Sequence, residues 1–329
     1  MKIAIFNVQF HEKKTFAAAN RQLGHELIFI REHLDESTAH LAQGAPCVSA
    51  FVNDCLNRET LEILKQQGCG LIALRSAGYN HINLSTAREL NLKVTHVPDY
   101  SPEAVAEHAV ALLMTLARKT HRSYLKVREG NFDLTGLMGV NIHGKTVGVV
   151  GTGKIGKAFA RIMRGFGCTI LLNDLVEDNR FAAELGASYV SFEDMCRRSD
   201  ILSLHLPLTP MTRRIFNHRA LECAKPGLIL LNTGRGGLID TDVVLEGLKN
   251  GKISLAGLDV YEAESAVFYG DHTGERGQDD RLASLIASPN VLLTGHHGFL
   301  TETAVANIAD GVLRSVTAFE KNEDPPNQL

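Results

Sequence analysis

Val147-Gly-Val-Val-Gly151-Thr-Gly153-Lys154-Ile155-Gly156 reads as an apolar strand that runs into three glycines spaced GxGxxG and then into an amphipathic helix over Lys157 to Phe166. A bare GxGxxG is weak evidence, but its strand-turn-helix context is met here. Gly151 allows the tight turn, Gly153 a close approach of backbone to a pyrophosphate, and Gly156 close packing of helix on sheet. The first turn of the helix then presents backbone N–H groups to phosphate charge. Eighteen residues beyond Gly156, at the end of the next strand, stands Asp174. A carboxylate there accepts hydrogen bonds from the adenosine ribose and repels a 2'-phosphate, so the expected cofactor is NAD, in preference to NADP.

Outward from this motif, short apolar runs alternate with helix-length segments, the pattern of parallel strands joined by crossover helices. Downstream strands are expected at Thr146 to Val150, Thr169 to Asn173, Ile201 to Leu204, Leu228 to Leu231, Leu255 to Leu258 and Val291 to Leu293. Upstream, Ile3 to Phe6, Glu26 to Ile30, Val48 to Val52, Leu71 to Leu74 and Lys93 to His96 make a separate open sheet. Between the two sheets, Val97-Pro98-Asp99-Tyr100-Ser101-Pro102 is an extended crossing, and its second proline suits a helix start. Apolar positions at helical spacing predict one long helix from Pro102 to about Arg128, and a last helix, Thr301 to Glu320, is expected to pack back on the first sheet. The polar tail from Lys321 to Leu329 is expected to be loosely held. The fold class is therefore α/β, two doubly wound parallel-sheet domains: a flavodoxin-like one (1–100 plus 299–329) and a Rossmann one (101–298).

Composition bounds the function classes. The chain has 329 residues, 44% of them hydrophobic, and a formal charge of −3, too near neutral to suggest a nucleic-acid or membrane partner. The one dense basic cluster, Arg118, Lys119, His121, Arg122, Lys126 and Arg128, reads as one end of the long helix. The six cysteines, Cys47, Cys55, Cys69, Cys168, Cys196 and Cys223, show no CxxC pair and no metal-ligand spacing, so no metal is expected. The start of the chain lacks the pattern of a signal peptide, and its longest apolar stretch, Ala109 to Ala117, falls far below the roughly 20 residues of a membrane helix. A cytoplasmic location is expected.

Three further motifs fall at strand ends, where open α/β sheets bind ligands. In Leu231-Asn-Thr-Gly-Arg235-Gly-Gly a guanidinium fork can hold a carboxylate bidentately. Gly257-Leu-Asp259-Val-Tyr-Glu262-Ala-Glu264 is an acidic loop, and Thr294-Gly-His296-His297-Gly-Phe299 supplies imidazoles. Reduction of a ketone leaves an oxygen that must be protonated, and histidine titrates in the right range. His296, oriented by Glu264, fits that work.

At these residues the chain resembles the D-2-hydroxyacid dehydrogenase family, and within it the bacterial fermentative enzymes that form lactate. Phe51-Val-Asn-Asp54, Leu74-Arg-Ser-Ala-Gly78-Tyr-Asn, Tyr100-Ser-Pro-Glu-Ala-Val-Ala-Glu-His108, His205-Leu-Pro207 and the Gln278-Asp-Asp280 segment extend the likeness over nearly the whole length. The last belongs to an insertion, about Phe268 to Arg281, that distinguishes these enzymes from shorter reductases. The resemblance implies that Arg235 binds the substrate carboxylate, that His296 donates the proton and that Glu264 orients His296. It implies carboxylate contacts from the backbone of Ser76, Ala77 and Gly78 with Tyr100 nearby, and a small apolar pocket walled by Phe51, Tyr79 and Phe299. For NAD it implies Gly151, Gly153, Lys154, Ile155, Gly156 and Asp174, then Leu206, Pro207 and Thr212, and Thr233, Gly234, Arg235 and Asp259 around the nicotinamide. The expected activity is reduction of pyruvate to D-lactate by a homodimer or homotetramer. A bulkier 2-oxo acid (phenylpyruvate, 2-oxoisocaproate or hydroxypyruvate) is the alternative, and an NADH-sensing co-repressor a remote one. Two positions depart from the family pattern: His297-Gly298 replaces its usual Gln-Ala, and Asp174-Leu175 its frequent Asp-Pro.

Overall fold

Apolar runs without polar alternation suit strands buried on both faces, the condition of a parallel sheet covered by helices on each side. In the computed structural model, which describes residues 1–264, 267–268, 270, 272–273 and 279–329, the chain forms two such sheets in two compact units, Met1–Ser101 with Leu300–Leu329 and Pro102–Phe299.

In the first unit, β1 (Lys2–Ile5), β2 (Glu26–Phe29), β3 (Cys47–Ala50), β4 (Leu71–Leu74) and β5 (Lys93–Thr95) pair in parallel in the order β2-β1-β3-β4-β5. That is the flavodoxin-like order, with its switch point between β1 and β3. Ala4, Phe6, Val48, Ile72 and Leu74 face one core. Ile3, Ile5, Cys47, Leu71 and Ala73 face another, closed by Ala309, Val312, Leu313 and Val316 of the helix Glu302–Glu320. Each leucine wholly withdrawn from water contributes about 2 kcal/mol. The tail is better anchored than its polarity suggests: Leu329 N–H donates to the Val94 carbonyl (2.9 Å), His96 N–H to that of Asn327 (3.2 Å), and Gln328 bridges Thr95. The unpaired edge of β5 supplies the hydrogen-bonding groups that hold it.

The second unit contains β6 (Thr146–Val150), β7 (Thr169–Asn173), β8 (Ser188–Tyr189), β9 (Ile201–Leu204), β10 (Leu228–Asn232), β11 (Ile253–Leu258) and β12 (Val291–Leu293). They run parallel in the order β12-β11-β10-β9-β6-β7-β8, so the strand order reverses between β6 and β9. β8 is unforeseen from the sequence because two residues are too short to show a period. The long helix expected from Pro102 to Arg128 is two helices, Pro102–Arg118 and Thr120–Arg128, broken at Lys119 with φ +53°. Its Ala117 carbonyl instead accepts from Val140 N–H (2.9 Å). The second helix buries no residue that would carry the first one on. The basic cluster therefore spans the break, and Lys126 bonds the Asp133 carbonyl at 2.6 Å.

Of the insertion, Gln278 lies outside the described residues, whereas Asp279 caps the helix Asp280–Ala287 and accepts from the Tyr261 hydroxyl at 2.6 Å. All six cysteines are free, and burial pushes the Cys47, Cys69 and Cys196 thiols up to about 12. Among the described residues no helix is long and apolar enough to cross a membrane.

Candidate active site

The glycine turn lies where the order of the second sheet reverses. Gly151 has φ +92°, and a Cβ there would meet the His205 carbonyl oxygen at 2.6 Å; one on Gly156 would lie 1.9 Å from the Gly151 oxygen. Around Gly153, by contrast, nothing lies within 4 Å of a Cβ. The helix Lys154–Gly165 begins at Gly153 with no side-chain cap, whereas Asp178, Asn217, Asp240 and Thr301 each cap the helix that follows them. Since such a cap is worth ~1 kcal/mol, its absence leaves first-turn N–H groups for an anion. Asp174, just past β7, accepts from Thr152 N–H (2.5 Å), the Thr152 hydroxyl (3.0 Å) and Leu175 N–H (2.7 Å). Burial works to raise its pKa, but these bonds outweigh it and hold the carboxyl below the usual range.

Arg235, Glu264 and His296 lie past the ends of three adjacent strands. β10 pairs β11 at Asn232 and Leu258, and β11 pairs β12 at Leu258 and Leu293. The loop after β10 is fixed by Asn232, whose side chain donates to the Arg235 carbonyl (2.9 Å) and accepts from Gly234 N–H (3.1 Å). Gly236 presses on the acidic loop: a Cβ there would stand 2.0 Å from the Tyr261 carbonyl carbon. Glu264 Oε2 accepts from Tyr261 N–H (3.0 Å), while Oε1 lies 2.8 Å from His296 Nδ1. His296 itself takes φ +52°, a left-handed conformation costly for a residue with a Cβ, and its N–H donates to the Asp259 carbonyl at 2.7 Å. A carboxylate on Nδ1 places the reactive proton position at Nε2.

Asp259 organises this end of the sheet through partners far from it in sequence. It is 1% exposed. Its Oδ1 accepts from the Thr294 hydroxyl (2.6 Å) and His297 N–H (3.0 Å) and lies 3.2 Å from His108 Nε2, while Oδ2 accepts from Gly298 N–H (2.8 Å). Burial pushes its pKa up, but bonds from His108, Thr294 and Gly298 bring the net shift below the ordinary carboxylate value. A separate cavity of about 1290 Å³, lined by Leu208, Arg213, Tyr261 and Arg281, includes none of Arg235, Glu264 and His296.

Residues 110–298 match the model of the D-isomer specific 2-hydroxyacid dehydrogenase NAD binding domain. The chain is 45% identical to the D-lactate dehydrogenase of Escherichia coli, over 100% of each. The solved apo structure of that enzyme superposes with a TM-score of 0.91 at 44% identity, again over 100% of each chain. A structure from work identifying the pyruvate reductase of Chlamydomonas reinhardtii gives 0.93 at 37% identity, over 99% of this chain and 98% of that one. This chain belongs to the D-isomer specific 2-hydroxyacid dehydrogenase family. In such a dehydrogenase the second unit is the NAD-binding one, and its residues fit the cofactor. The open face at Gly153 and the uncapped helix suit a pyrophosphate, and Asp174 retains lone pairs for a ribose hydroxyl. The Thr233 hydroxyl, just past β10, is buried with no hydrogen-bond partner among the described residues. Thr212, expected near the adenosine, bonds the Pro207 carbonyl at 2.6 Å and so shapes the loop carrying Leu206 and Pro207.

In the first unit of this dehydrogenase, the loop after β4 holds Ser76, Ala77 and Gly78. The Ser76 hydroxyl donates to the Gly78 carbonyl (2.6 Å), and His96 Nδ1 lies 2.9 Å from that of Ala77. Phe51 is buried and Tyr79 is 42% exposed, its ring edge-on to His96. Tyr100 packs on the core under the last helix, and Phe299 belongs to the second unit. Asp54, the last residue of the Phe51 to Asp54 segment that carries the family likeness, has no role assigned from the sequence; it is buried and accepts from Phe51 N–H (2.6 Å) and Leu34 N–H (2.9 Å). Nor has Arg75, buried against Glu12 at 2.9 Å. An acid three residues after Phe51 and an arginine at a strand end were the available signals.

Proposed function

We propose that this dehydrogenase reduces pyruvate to D-lactate with NADH. The observation that carries the reading is the His296–Glu264 pair at 2.8 Å, which joins the loop after β12 to the Asp259 loop after β11, itself one strand from the loop of Arg235. The full-length likeness to enzymes named D-lactate dehydrogenase supports the substrate. Arg235 holds the substrate carboxylate through its planar fork. The Ser76 to Gly78 backbone supplies further carboxylate donors, and Phe51, Tyr79 and Phe299 restrict the substrate's size. When bound to the second unit, NADH would supply the hydride for the carbonyl carbon. His296 Nε2 gives the proton to the carbonyl oxygen, and Glu264 balances the charge of the imidazolium as substrate binds. The products are the 2-hydroxy acid and NAD+, with His296 left neutral until it regains a proton from water.

The test is loss of NADH absorbance with pyruvate and with a panel of larger 2-oxo acids, repeated with NADPH, with the product's chirality determined. Preferential NADH-dependent formation of D-lactate is the expected result. Preference for phenylpyruvate or 2-oxoisocaproate would move the substrate while leaving the roles of Arg235 and His296 in place, and formation of L-lactate would overturn the reading.

A further inference from the structure

His297 stands where the family pattern has glutamine, and its imidazole makes no hydrogen bond among the described residues. Its backbone N–H is tied to Asp259 (3.0 Å), so its Cα is fixed while its exposed ring can turn. The ring meets that of His108 edge-on, with centroids 4.7 Å apart. One ligating atom each from His108, Asp259 and His297 lie within 4.8 Å of one another, all in the second unit. From these positions we infer that the three residues form a binding site for a divalent transition-metal ion of the zinc class.

Zinc binds imidazole and carboxylate at about 2.0–2.2 Å, so neighbouring ligand atoms of a tetrahedral site stand about 3.3–3.5 Å apart. His108 Nε2 and Asp259 Oδ1 are already 3.2 Å apart, close to one edge of that tetrahedron. A rotation of the exposed His297 ring completes a three-residue face and leaves a fourth position for water. For a metal to bind, the imidazoles must be neutral, and His108 must give up its bonds to Thr294 and Asp259 through Nε2. Two nitrogens and one carboxylate favour Zn2+, Co2+, Ni2+ or Cu2+ over the oxygen-seeking Mg2+ and Ca2+. The site adjoins the turn that carries His296 but does not depend on which oxo acid is reduced, so it can be tested without turnover.

The experiment is a calorimetric titration of the chelator-stripped full chain with ZnCl2, with and without millimolar MgCl2. A parallel titration with Co2+ is read by the visible absorption of tetrahedral cobalt. One equivalent of zinc is expected, undisturbed by magnesium. His297→Gln restores the family residue at an exposed position, and on losing a ligand its affinity should fall on the order of 100-fold, with loss of the cobalt band. His218→Gln, at an exposed histidine elsewhere, should leave both unchanged. Absence of a stoichiometric zinc event in the unaltered chain would overturn the site, as would an isotherm that His297→Gln does not alter.

Discussion

His296 Nδ1 lies 2.8 Å from Glu264 Oε1, and the same glutamate holds Tyr261 N–H through its other oxygen. Glu264 is thus held by backbone through one oxygen while it holds the imidazole through the other. Glu264→Gln keeps the shape but removes the charge, and its amide can turn an N–H toward Nδ1 and favour the wrong tautomer. A charge-assisted hydrogen bond is worth about 1.5–3 kcal/mol, so kcat should fall about 10- to 100-fold with little change in KM for the oxo acid. Steady-state kinetics across a pyruvate series checks this, and a change confined to KM would contradict it.

Arg235 donates to its own loop, through Nη1 to the Gly234 carbonyl at 2.7 Å, which sets the plane of its fork. Lysine offers a point charge on a flexible stem and cannot reproduce two parallel donors. Arg235→Lys should lower kcat/KM for pyruvate about 10- to 100-fold, chiefly through KM, with NADH binding measured by fluorescence much less affected. Unchanged kinetic constants would remove Arg235 from carboxylate binding.

Gly236 joins the Arg235 loop to the Glu264 loop by lack of a side chain. A Cβ would lie 2.0 Å from the Tyr261 carbonyl carbon and 2.3 Å from the Glu262 nitrogen, both backbone atoms that cannot swing aside. Gly236→Ala should cost about 1–3 kcal/mol of stability and, by moving both loops, on the order of 100-fold in kcat/KM. Denaturant midpoints alongside kinetics test the two effects separately; retention of both would mean that the loops yield without cost.

Asp174 holds Thr152 and stands just past β7, where an acid would select a ribose hydroxyl. Asp174→Asn preserves most of the local shape while removing the charge that repels a 2'-phosphate. The ratio of kcat/KM with NADH to that with NADPH should fall about 10-fold or more. An unchanged ratio would place cofactor choice elsewhere.

What was legible in the sequence follows contact distance along the chain. The turn at Gly151 to Gly156 and the strands around it announce themselves because the residues that matter are neighbours. The strand ends after β10, β11 and β12 stand out for the same reason, since chemistry-bearing residues there follow an apolar run at once. The Asp259 network does not, because His108 arrives from a helix far upstream and Thr294 from a strand downstream. The break at Lys119 was hidden by Tyr124, Leu125 and Val127, which sustain a helical apolar pattern yet stay exposed. The order of the tail was hidden because backbone pairing along β5 uses no side chain that a polarity pattern records.

His205 follows β9, its ring 5.0 Å from that of Phe159 and its Nε2 2.9 Å from the Ser203 hydroxyl. Burial pushes its pKa down to about 3 from an ordinary 6.5. The folded protein therefore keeps His205 neutral where the unfolded chain would protonate it. Above about pH 6.5 neither state binds this proton and stability is unaffected. As the pH falls from there toward 3 the unfolded state gains a proton that the folded state refuses, and stability is lost at up to about 1.4 kcal/mol per pH unit. His205→Asn removes this linkage while keeping a polar atom near Ser203. Urea midpoints of the two proteins should converge as the pH is lowered from 7 to 5, relative to their separation at neutral pH. Parallel pH dependence in the two proteins would show that His205 gains a proton in the folded state as readily as in the unfolded one.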